Sequence, residues 1–147
     1  MYRLLKPLLF LFPPETAHKL VFKALAILKY IPFAGNLMRL CFSYKAPALE
    51  RQVLGLNFSN PVGLAAGLDK NAEVINQMAD LGFGFVEIGS VTVAPQEGNP
   101  KPRSFRLVKD KALINRMGIN NLGVKKIVKN IQKTHPRVII GGNISKN

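Results

Sequence analysis

Acidic residues, cysteine and tryptophan are scarce in this sequence. Its 147 residues include 8 Asp and Glu against 21 Lys and Arg, one cysteine and no tryptophan. A single thiol excludes an intrachain disulfide and a thiol pair for a metal site, which is typical of a reducing compartment. We expect Cys41 to be buried in packing, and we predict no metal site.

Long apolar runs are also missing. No uninterrupted run reaches the roughly 18 residues that a membrane-spanning helix needs. The apolar segment Leu8–Phe12 is too short for a secretory signal and is followed directly by Pro13 and Pro14. The sequence therefore favours a chain that lies on a membrane over one that crosses it.

The formal net charge is +13, which favours an anionic partner. Nucleic acid is disfavoured because the lysines lie along helix outsides and do not alternate with aromatic residues. Residues 1–46 carry seven basic side chains against Glu15 alone and are also the most apolar part of the chain. A basic and apolar segment of this kind is typical of a membrane surface.

The amino-terminal third predicts helices. Tyr2–Phe12 predicts a short helix bent or started at Pro7, and a second helix of about four turns begins near Pro14. The second helix has an apolar stripe that suits core packing and membrane docking equally, formed by Ala17, Leu20, Val21, Ala24 and Leu28. Ile31–Leu49 is predicted to be a linker and the last turn of this unit.

The remaining residues predict alternating strands and helices. Thr92–Asn120 has no clear period and is predicted to be one long loop. This order is typical of an α/β fold, either a barrel or an open parallel sheet. The predicted elements are a hairpin over 53–58, strands over 62–66, 85–88 and 138–140, and helices over 72–79, ended by Gly82, and 124–131.

The stretch Asn60–Lys70 reads Asn-Pro-Val-Gly-Leu-Ala-Ala-Gly-Leu-Asp-Lys. It predicts a strand that leads to a helix through a turn of small residues. A flat ligand or a phosphate can approach the backbone at such a turn, and Lys70 offers a cation. Close packing is the commoner role of small residues at a strand end, so spacing alone leaves both interpretations open.

Five further stretches follow in order: Glu87–Thr92, Pro95–Pro100, Phe105–Leu107, Asn115–Asn121 and Asn143–Asn147. Together with Asn60–Lys70 they resemble the quinone-dependent (class 2) dihydroorotate dehydrogenases. The resemblance implies a (βα)8 TIM-type barrel, of which residues 49–147 would form about the first three strands. Residues 1–48 would form a helical membrane-docking and quinone-tunnel unit.

Because such a barrel needs about 250 residues, we expect this chain to be the amino-terminal part of a longer protein. The resemblance implies oxidation of dihydroorotate to orotate in pyrimidine biosynthesis, with FMN as cofactor and a membrane quinone as acceptor. The serine base would lie downstream, so no catalytic residue is expected in this chain, and the chain alone is expected to be inactive. In a bacterium the protein would lie on the cytoplasmic face of the inner membrane.

The resemblance also implies roles for individual residues. His18 and Arg106 would line the quinone tunnel. The FMN contacts would be Ala65, Ala66, Gly67, Leu68, Asp69, Ser90 and Asn143. The substrate contacts would be Lys70, Asn115, Arg116, Met117, Gly118 and Ile119.

Two alternatives remain at this stage. A soluble class 1 relative that uses fumarate or nicotinamide is disfavoured, since it has no need of the basic apolar residues 1–46. A non-enzymatic fragment is the stronger alternative, because an incomplete barrel would leave an unpaired strand near 138–140 and would aggregate.

Overall fold

The computed structural model describes residues 2–147. Within these residues, helices occupy the amino-terminal third and strands alternate with helices thereafter. The helices are α1 (Tyr2–Phe10), α2 (Pro14–Leu28), α3 (Ala34–Phe42), α4 (Ile75–Asp80) and α5 (Val124–Thr134). The strands are β1 (Arg51–Val53), β2 (Leu56–Phe58), β3 (Gly63–Leu64), β4 (Phe85–Val91), β5 (Ser104–Leu107), β6 (Ala112–Asn115) and β7 (Ile139–Ile144).

The first two helices confirm the sequence predictions. Pro7 lies inside α1, and Pro14 occupies the first turn of α2, where its missing N–H costs no hydrogen bond. Helix α3 was not predicted, and the interpretation of 31–49 as a linker was wrong. Phe33 precedes α3 with a left-handed φ of 63°, a conformation that no sequence pattern indicates for an aromatic residue.

The predicted apolar stripe of α2 does not form one buried face. Ala17 and Phe22 are buried, and Leu25 packs against the core, whereas Leu20 and Val21 are exposed. Phe22, an aromatic residue outside the predicted stripe, is therefore the side chain that anchors α2 to the core. The exposed apolar residues leave α2 with a second apolar face.

Cys41 is exposed on α3, so its predicted burial was wrong. It lies on a helix whose residues are all exposed or half-buried. Because α3 buries none of its side chains, it offers no buried position to Cys41.

A parallel sheet of order β3-β4-β7 forms the centre of the molecule. Gly63 pairs with Phe85, and Phe85 with Ile139, so the three strands run side by side in the predicted sequence order. Val86 and Ile88 of β4 are buried among residues of α4 and α5, including Ile75 and Ile127. The mixed α/β class is therefore confirmed.

Two antiparallel hairpins lie outside this sheet. The β1–β2 hairpin confirms the prediction, and its turn places Leu54 and Gly55 at positive φ. The β5–β6 hairpin lies inside the stretch Thr92–Asn120, which was predicted to be one loop, so that prediction was wrong. Each strand has only four residues, which is the lower limit for a period-2 pattern; β5 alternates polar and apolar residues, whereas β6 (Ala112–Asn115) does not.

The carboxylate of Asp80 joins the helices to the sheet. It pairs with Arg39 of α3 and accepts hydrogen bonds from Arg137 at 2.9 and 3.0 Å. The Asp80 side chain is buried, and two guanidinium groups therefore compensate its desolvation. Among the described residues, no helix has the length and apolarity required to cross a bilayer.

Candidate functional site

The candidate site lies at the carboxyl ends of the three parallel strands. Ala65–Lys70 follow β3, Ser90 lies near the end of β4, and Asn143 lies near the end of β7. In parallel α/β folds, the ligands bind at this edge of the sheet. The structure thus places the predicted residues of three separate motifs on one edge.

The small residues after β3 form an open stretch of backbone. Ala65 and Gly67 are exposed, and Ala66 is half-buried. Gly67 has a φ of +108°, and the position where a Cβ would project has no atom within 4 Å. Its N–H donates to the Gly89 carbonyl at 2.9 Å, which fixes this backbone against β4. A flat group therefore has room to lie against this wall, beside the exposed Leu68.

Asp69 has a structural role in this site. Its side chain is fully buried, and it accepts hydrogen bonds from the N–H groups of Glu73 and Val74 at 2.8 and 2.9 Å. Burial raises the pKa of the carboxyl, against these two hydrogen bonds, which lower it. The carboxylate shapes the loop before α4, while its contact with a cofactor stays a prediction.

Ser90 and Asn143 contact each other across β4 and β7. The Ser90 hydroxyl donates to Asn143 Oδ1, and Asn143 Nδ2 lies 3.4 Å from Glu87 Oε1. The second oxygen of Glu87 lies 3.4 Å from the N–H of Ala66. Glu87 thereby joins the three motifs into one polar cluster, although the sequence assigned it no role.

Lys70 is half-buried and donates to Asn120 Oδ1 at 2.6 Å. Burial lowers the pKa of its ammonium group, and the nearby charge of Arg103 lowers it further. Asn120 lies one residue after the predicted substrate segment. The hydrogen bond between Lys70 and Asn120 therefore holds the β3 loop close to the segment 115–119.

The segment 115–119 is held mainly through its backbone. The Asn115 carboxamide oxygen lies 3.4 Å from the Met117 N–H, and the Met117 carbonyl accepts from the Asn99 N–H at 3.1 Å. Gly118 and Ile119 both have positive φ, 75° and 55°. The Arg116 guanidinium donates to the Pro102 carbonyl at 3.2 Å. The Asn115 side chain is exposed, so a ligand can reach it.

Glu15 and Arg103 form an ion pair between α2 and the loop that precedes β5. Arg103 Nε and Nη2 donate to the two carboxylate oxygens at 3.1 and 2.7 Å. The hydrogen bond from Arg103 holds the pKa of Glu15 below its ordinary value, and the carboxylate in turn raises the pKa of Arg103. Both groups are therefore ionised at neutral pH.

His18 lies on α2, one turn after Glu15. Its ring is tilted by 34° to that of Phe22, with the ring centroids 4.1 Å apart. Burial lowers the pKa of the imidazole, and the charges of Glu73, Lys70 and Asp69 also act on it. His18 is therefore half-buried between the core residue Phe22 and the β3 loop, and its burial favours the neutral imidazole.

Arg106 of β5 reaches back to α1. It donates to the carbonyls of Phe12 and Leu9 at 2.6 and 3.4 Å, and its guanidinium carbon lies 4.5 Å from the centroid of the Phe10 ring. These contacts hold the β5–β6 hairpin against the amino-terminal helices. Arg106 thus lies where α1 meets the β5–β6 hairpin, whereas His18 lies on α2 beside the core residue Phe22.

Two of the cavities in the described part of the chain have the volume of a small-molecule site. One, of about 940 Å³, is lined by the loops 95–103 and 120–122, with Arg103 and Asn120 among its walls. The other, of about 680 Å³, lies between α3, α4 and α5, and neither cavity is lined by a residue that the sequence predicted for the site. The first cavity adjoins the candidate site, because its wall residue Asn120 accepts the hydrogen bond from Lys70.

Four residues of the site were not assigned by the sequence: Glu15, Glu87, Arg103 and Asn120. Glu87 and Asn120 lie inside stretches that carried the resemblance. Their polar side chains stand close in sequence to predicted contacts, and this position could have indicated that they belong to the site. Arg103 was hidden among 21 basic residues, and its partner Glu15 is 88 positions away. Two residues so far apart in the chain leave no pattern in the local sequence that would predict their contact.

Known proteins match the chain throughout. The family model described as Dihydroorotate dehydrogenase matches residues 48–147. The chain is 51% identical to the dihydroorotate dehydrogenase (quinone) of Christiangramia forsetii, and the match covers 100% of this chain and 43% of that relative. It is 49% identical to the protein of the same name from Psychrobacter sp., over 99% of this chain and 41% of the relative. The chain thus spans about two fifths of the length of these curated relatives.

Solved structures agree with the sequence comparison. The structure of DHODH from Eimeria tenella in complex with ferulenol matches with a TM-score of 0.77 and 42% identity, over 92% of this chain and 37% of that chain. The ligand-free form from the same organism matches with a TM-score of 0.76 and 41% identity. These matches confirm the resemblance that the motifs carry, and the chain belongs to the dihydroorotate dehydrogenase family.

Proposed function

We propose that this chain forms the amino-terminal part of a quinone-dependent dihydroorotate dehydrogenase, which oxidises dihydroorotate to orotate in pyrimidine biosynthesis. The observation that carries the proposal is the convergence at one sheet edge of an open small-residue wall, a Ser90–Asn143 pair and Lys70. The names of the curated relatives support the same activity. The relatives are longer, so the complete activity is assigned to the full-length protein.

FMN is the cofactor that the site fits. Ala65, Ala66 and Gly67 expose backbone without bulky side chains, which suits one face of a planar ring system. Ser90 and Asn143 provide a hydroxyl and a carboxamide at the adjoining strand ends. When bound, FMN supplies the hydride acceptor for oxidation of the substrate and passes electrons to the quinone. The residues of this chain position it and shape its surroundings.

The proposed substrate site combines Lys70 with the segment 115–119. Dihydroorotate is an anion with several amide groups, so it needs a cation together with donors and acceptors. Lys70 supplies the cation, and the exposed Asn115 carboxamide supplies a donor and an acceptor. The base that removes the carbon-bound proton is assigned to a serine outside residues 1–147, and Ser145 does not have that role.

The sheet β3-β4-β7 is proposed to be the first part of a (βα)8 barrel, and residues 1–48 a helical unit that docks on a membrane. Support for docking comes from exposed apolar side chains on the helices and in the turn after α1, including Leu4, Leu8, Leu11, Leu37 and Leu40. The same helices carry an excess of basic residues. Apolar side chains flanked by basic ones favour the surface of an anionic bilayer, on the cytoplasmic side in a bacterium. His18 and Arg106 are proposed to line the path of the quinone.

The experiment that tests the proposal uses the full-length protein. We expect it to purify with FMN, to be reduced by dihydroorotate without added quinone, and to be reoxidised by a soluble quinone. Lys70→Met is expected to slow the reduction by dihydroorotate and to leave FMN bound. A full-length protein that carries no FMN, or that dihydroorotate does not reduce, would contradict the proposal.

Membrane docking is tested separately by sedimentation with vesicles. The full-length protein is expected to bind vesicles that contain anionic lipid, and Leu4→Ser with Leu8→Ser is expected to weaken that binding. FMN content serves as the control for folding. Equal binding by the variant would contradict docking through α1.

A further inference from the structure

The loop before β5 holds the substrate segment by hydrogen bonds at three points. The Asn99 N–H donates to the Met117 carbonyl at 3.1 Å, and Asn99 Nδ2 donates to the Arg116 carbonyl at 2.8 Å. In the opposite direction, the Arg116 N–H donates to the Arg103 carbonyl at 2.9 Å. The backbone of Arg116 and Met117 is thus fixed by Asn99 and Arg103.

The side chain of Arg103 holds that loop in turn. Its Nη1 donates to the carbonyls of Glu97 and Asn99 at 2.6 and 3.0 Å, while Nε and Nη2 bind Glu15. The residue is 7% exposed, so its donors are largely withdrawn from water. One guanidinium therefore joins helix α2 to the loop that holds the substrate segment.

The Glu15 carboxylate determines whether Arg103 can stay in this position. A cation that is this deeply buried needs an ionised partner, because desolvation strongly disfavours an uncompensated charge. Lys101 also approaches Glu15, at 3.7 Å, but its side chain is 60% exposed. Removing the charge of Glu15 would thus drive the Arg103 side chain toward water and release the Glu97 and Asn99 carbonyls.

We propose that Arg103 is a positioning residue for the dihydroorotate site, held in place by Glu15 of the amino-terminal unit. This inference rests on the proposed function, because it takes residues 115–119 as the substrate segment. It predicts that a side chain on the helical unit sets the affinity for the pyrimidine substrate.

The test compares Glu15→Gln, Arg103→Lys and the control Lys101→Met in the flavin-loaded full-length protein. The dissociation constant of orotate is measured by calorimetry, and the KM values of dihydroorotate and quinone are measured separately. We expect the orotate dissociation constant to rise by about tenfold in the first two variants. We expect the KM of quinone in these variants, and all three constants in Lys101→Met, to stay within about twofold of wild type.

A purely structural role predicts a different result. If Glu15 only docks α2, Glu15→Gln raises the KM of quinone and leaves the orotate dissociation constant unchanged, and that outcome overturns the proposal. Glu15→Asp keeps the charge on a shorter side chain. If Glu15→Gln keeps its flavin, an orotate affinity of Glu15→Asp between those of wild type and Glu15→Gln supports the proposal. If Glu15→Gln loses its flavin, Glu15→Asp becomes the test: an orotate affinity below that of wild type supports the proposal, and an affinity equal to wild type overturns it.

Hydrogen exchange gives a readout that needs no substrate. The N–H groups of Asn99 and Arg116 are expected to exchange faster in Glu15→Gln than in Lys101→Met, because their loop has lost its anchor. Unchanged exchange overturns the proposal. Failure of the proposed function would appear separately, as a wild-type protein that dihydroorotate does not reduce.

Discussion

The guanidinium of Arg106 lies over the ring of Phe10, with 4.5 Å between its central carbon and the ring centroid. It also donates to the Phe12 carbonyl at 2.6 Å. A cation over an aromatic ring contributes about 0.5–1 kcal/mol at an exposed site, and the hydrogen bond adds to this. Arg106 therefore fixes α1 against the β5–β6 hairpin, at the proposed path of the quinone.

Arg106→Leu is expected to lower quinone-linked turnover by about tenfold or more, since it removes both contacts to α1 and a cation beside the quinone path. Reduction of the flavin by dihydroorotate, measured by stopped flow without quinone, is expected to stay close to wild type. Lys109→Leu, an exposed residue of the same hairpin, serves as the control. If Arg106→Leu slowed flavin reduction by dihydroorotate as much as flavin oxidation by quinone, a specific role of Arg106 on the quinone side would be contradicted.

Lys70 makes the affinity for orotate depend on pH. Burial lowers the pKa of this lysine from its ordinary value, and only the protonated form attracts an anion. Affinity is therefore full at pH values below the lowered pKa and falls as the pH rises through it, which is earlier than for an exposed lysine. The orotate dissociation constant, measured by calorimetry from about pH 7 to about pH 10, checks this expectation.

Lys70→Met is the matched variant for that pH profile. It is expected to bind orotate more weakly at neutral pH and to lose the alkaline decline. A wild-type affinity that stays constant over the same range would show that the charge of Lys70 does not contribute.

Asp69 is expected to stabilise the fold through the loop before α4. In Asp69→Ala, the N–H groups of Glu73 and Val74 lose the acceptor that they have in the buried carboxylate. An unsatisfied buried donor costs about 1–3 kcal/mol, so the free energy of unfolding of the full-length protein should fall by at least about 2 kcal/mol. Urea unfolding measures this loss. Glu73→Ala, at an exposed neighbouring position, should change stability by less than about 0.5 kcal/mol.

The sequence predicted the central sheet but missed elements that depend on distant contacts. Strands β3, β4 and β7 carry short apolar runs that are visible locally, and all three were found. Helix α3 begins at a left-handed Phe33 and is joined to Asp80 by Arg39, a residue 41 positions from its partner. Neither feature has a local signature, because a tertiary contact supplies the stabilisation.

The candidate site divides in the same way. Lys70, Ser90 and Asn143 could be predicted because they lie in motifs that carry the family resemblance, and the structure places them near one edge of the sheet; their contacts with a ligand stay predictions. The Glu15–Arg103 pair was missed, because a buried arginine and a surface arginine look the same in sequence. Glu87 was missed because alternation along β4 does not distinguish a polar interior position from a solvent-facing one.

Gly98 should prove necessary for the contact between the loop before β5 and the substrate segment. It has a φ of +78°, and a Cβ at this position would lie 2.1 Å from the Met117 carbonyl oxygen. Gly98→Ala must therefore displace the backbone of one of these segments. We expect it to weaken orotate binding by about tenfold or more, because a rigid backbone contact cannot yield as a flexible side chain does.

Gly55→Ala is the matched control for Gly98→Ala. Gly55 has a similar φ of +77° in the β1–β2 turn, but a Cβ there meets nothing within 4 Å. This variant therefore carries the cost of the left-handed conformation alone, about 1–2 kcal/mol of stability, without a clash. Orotate affinity should stay at the wild-type value in Gly55→Ala. If the two variants bind orotate equally well, the contact between Gly98 and Met117 does not position the substrate segment.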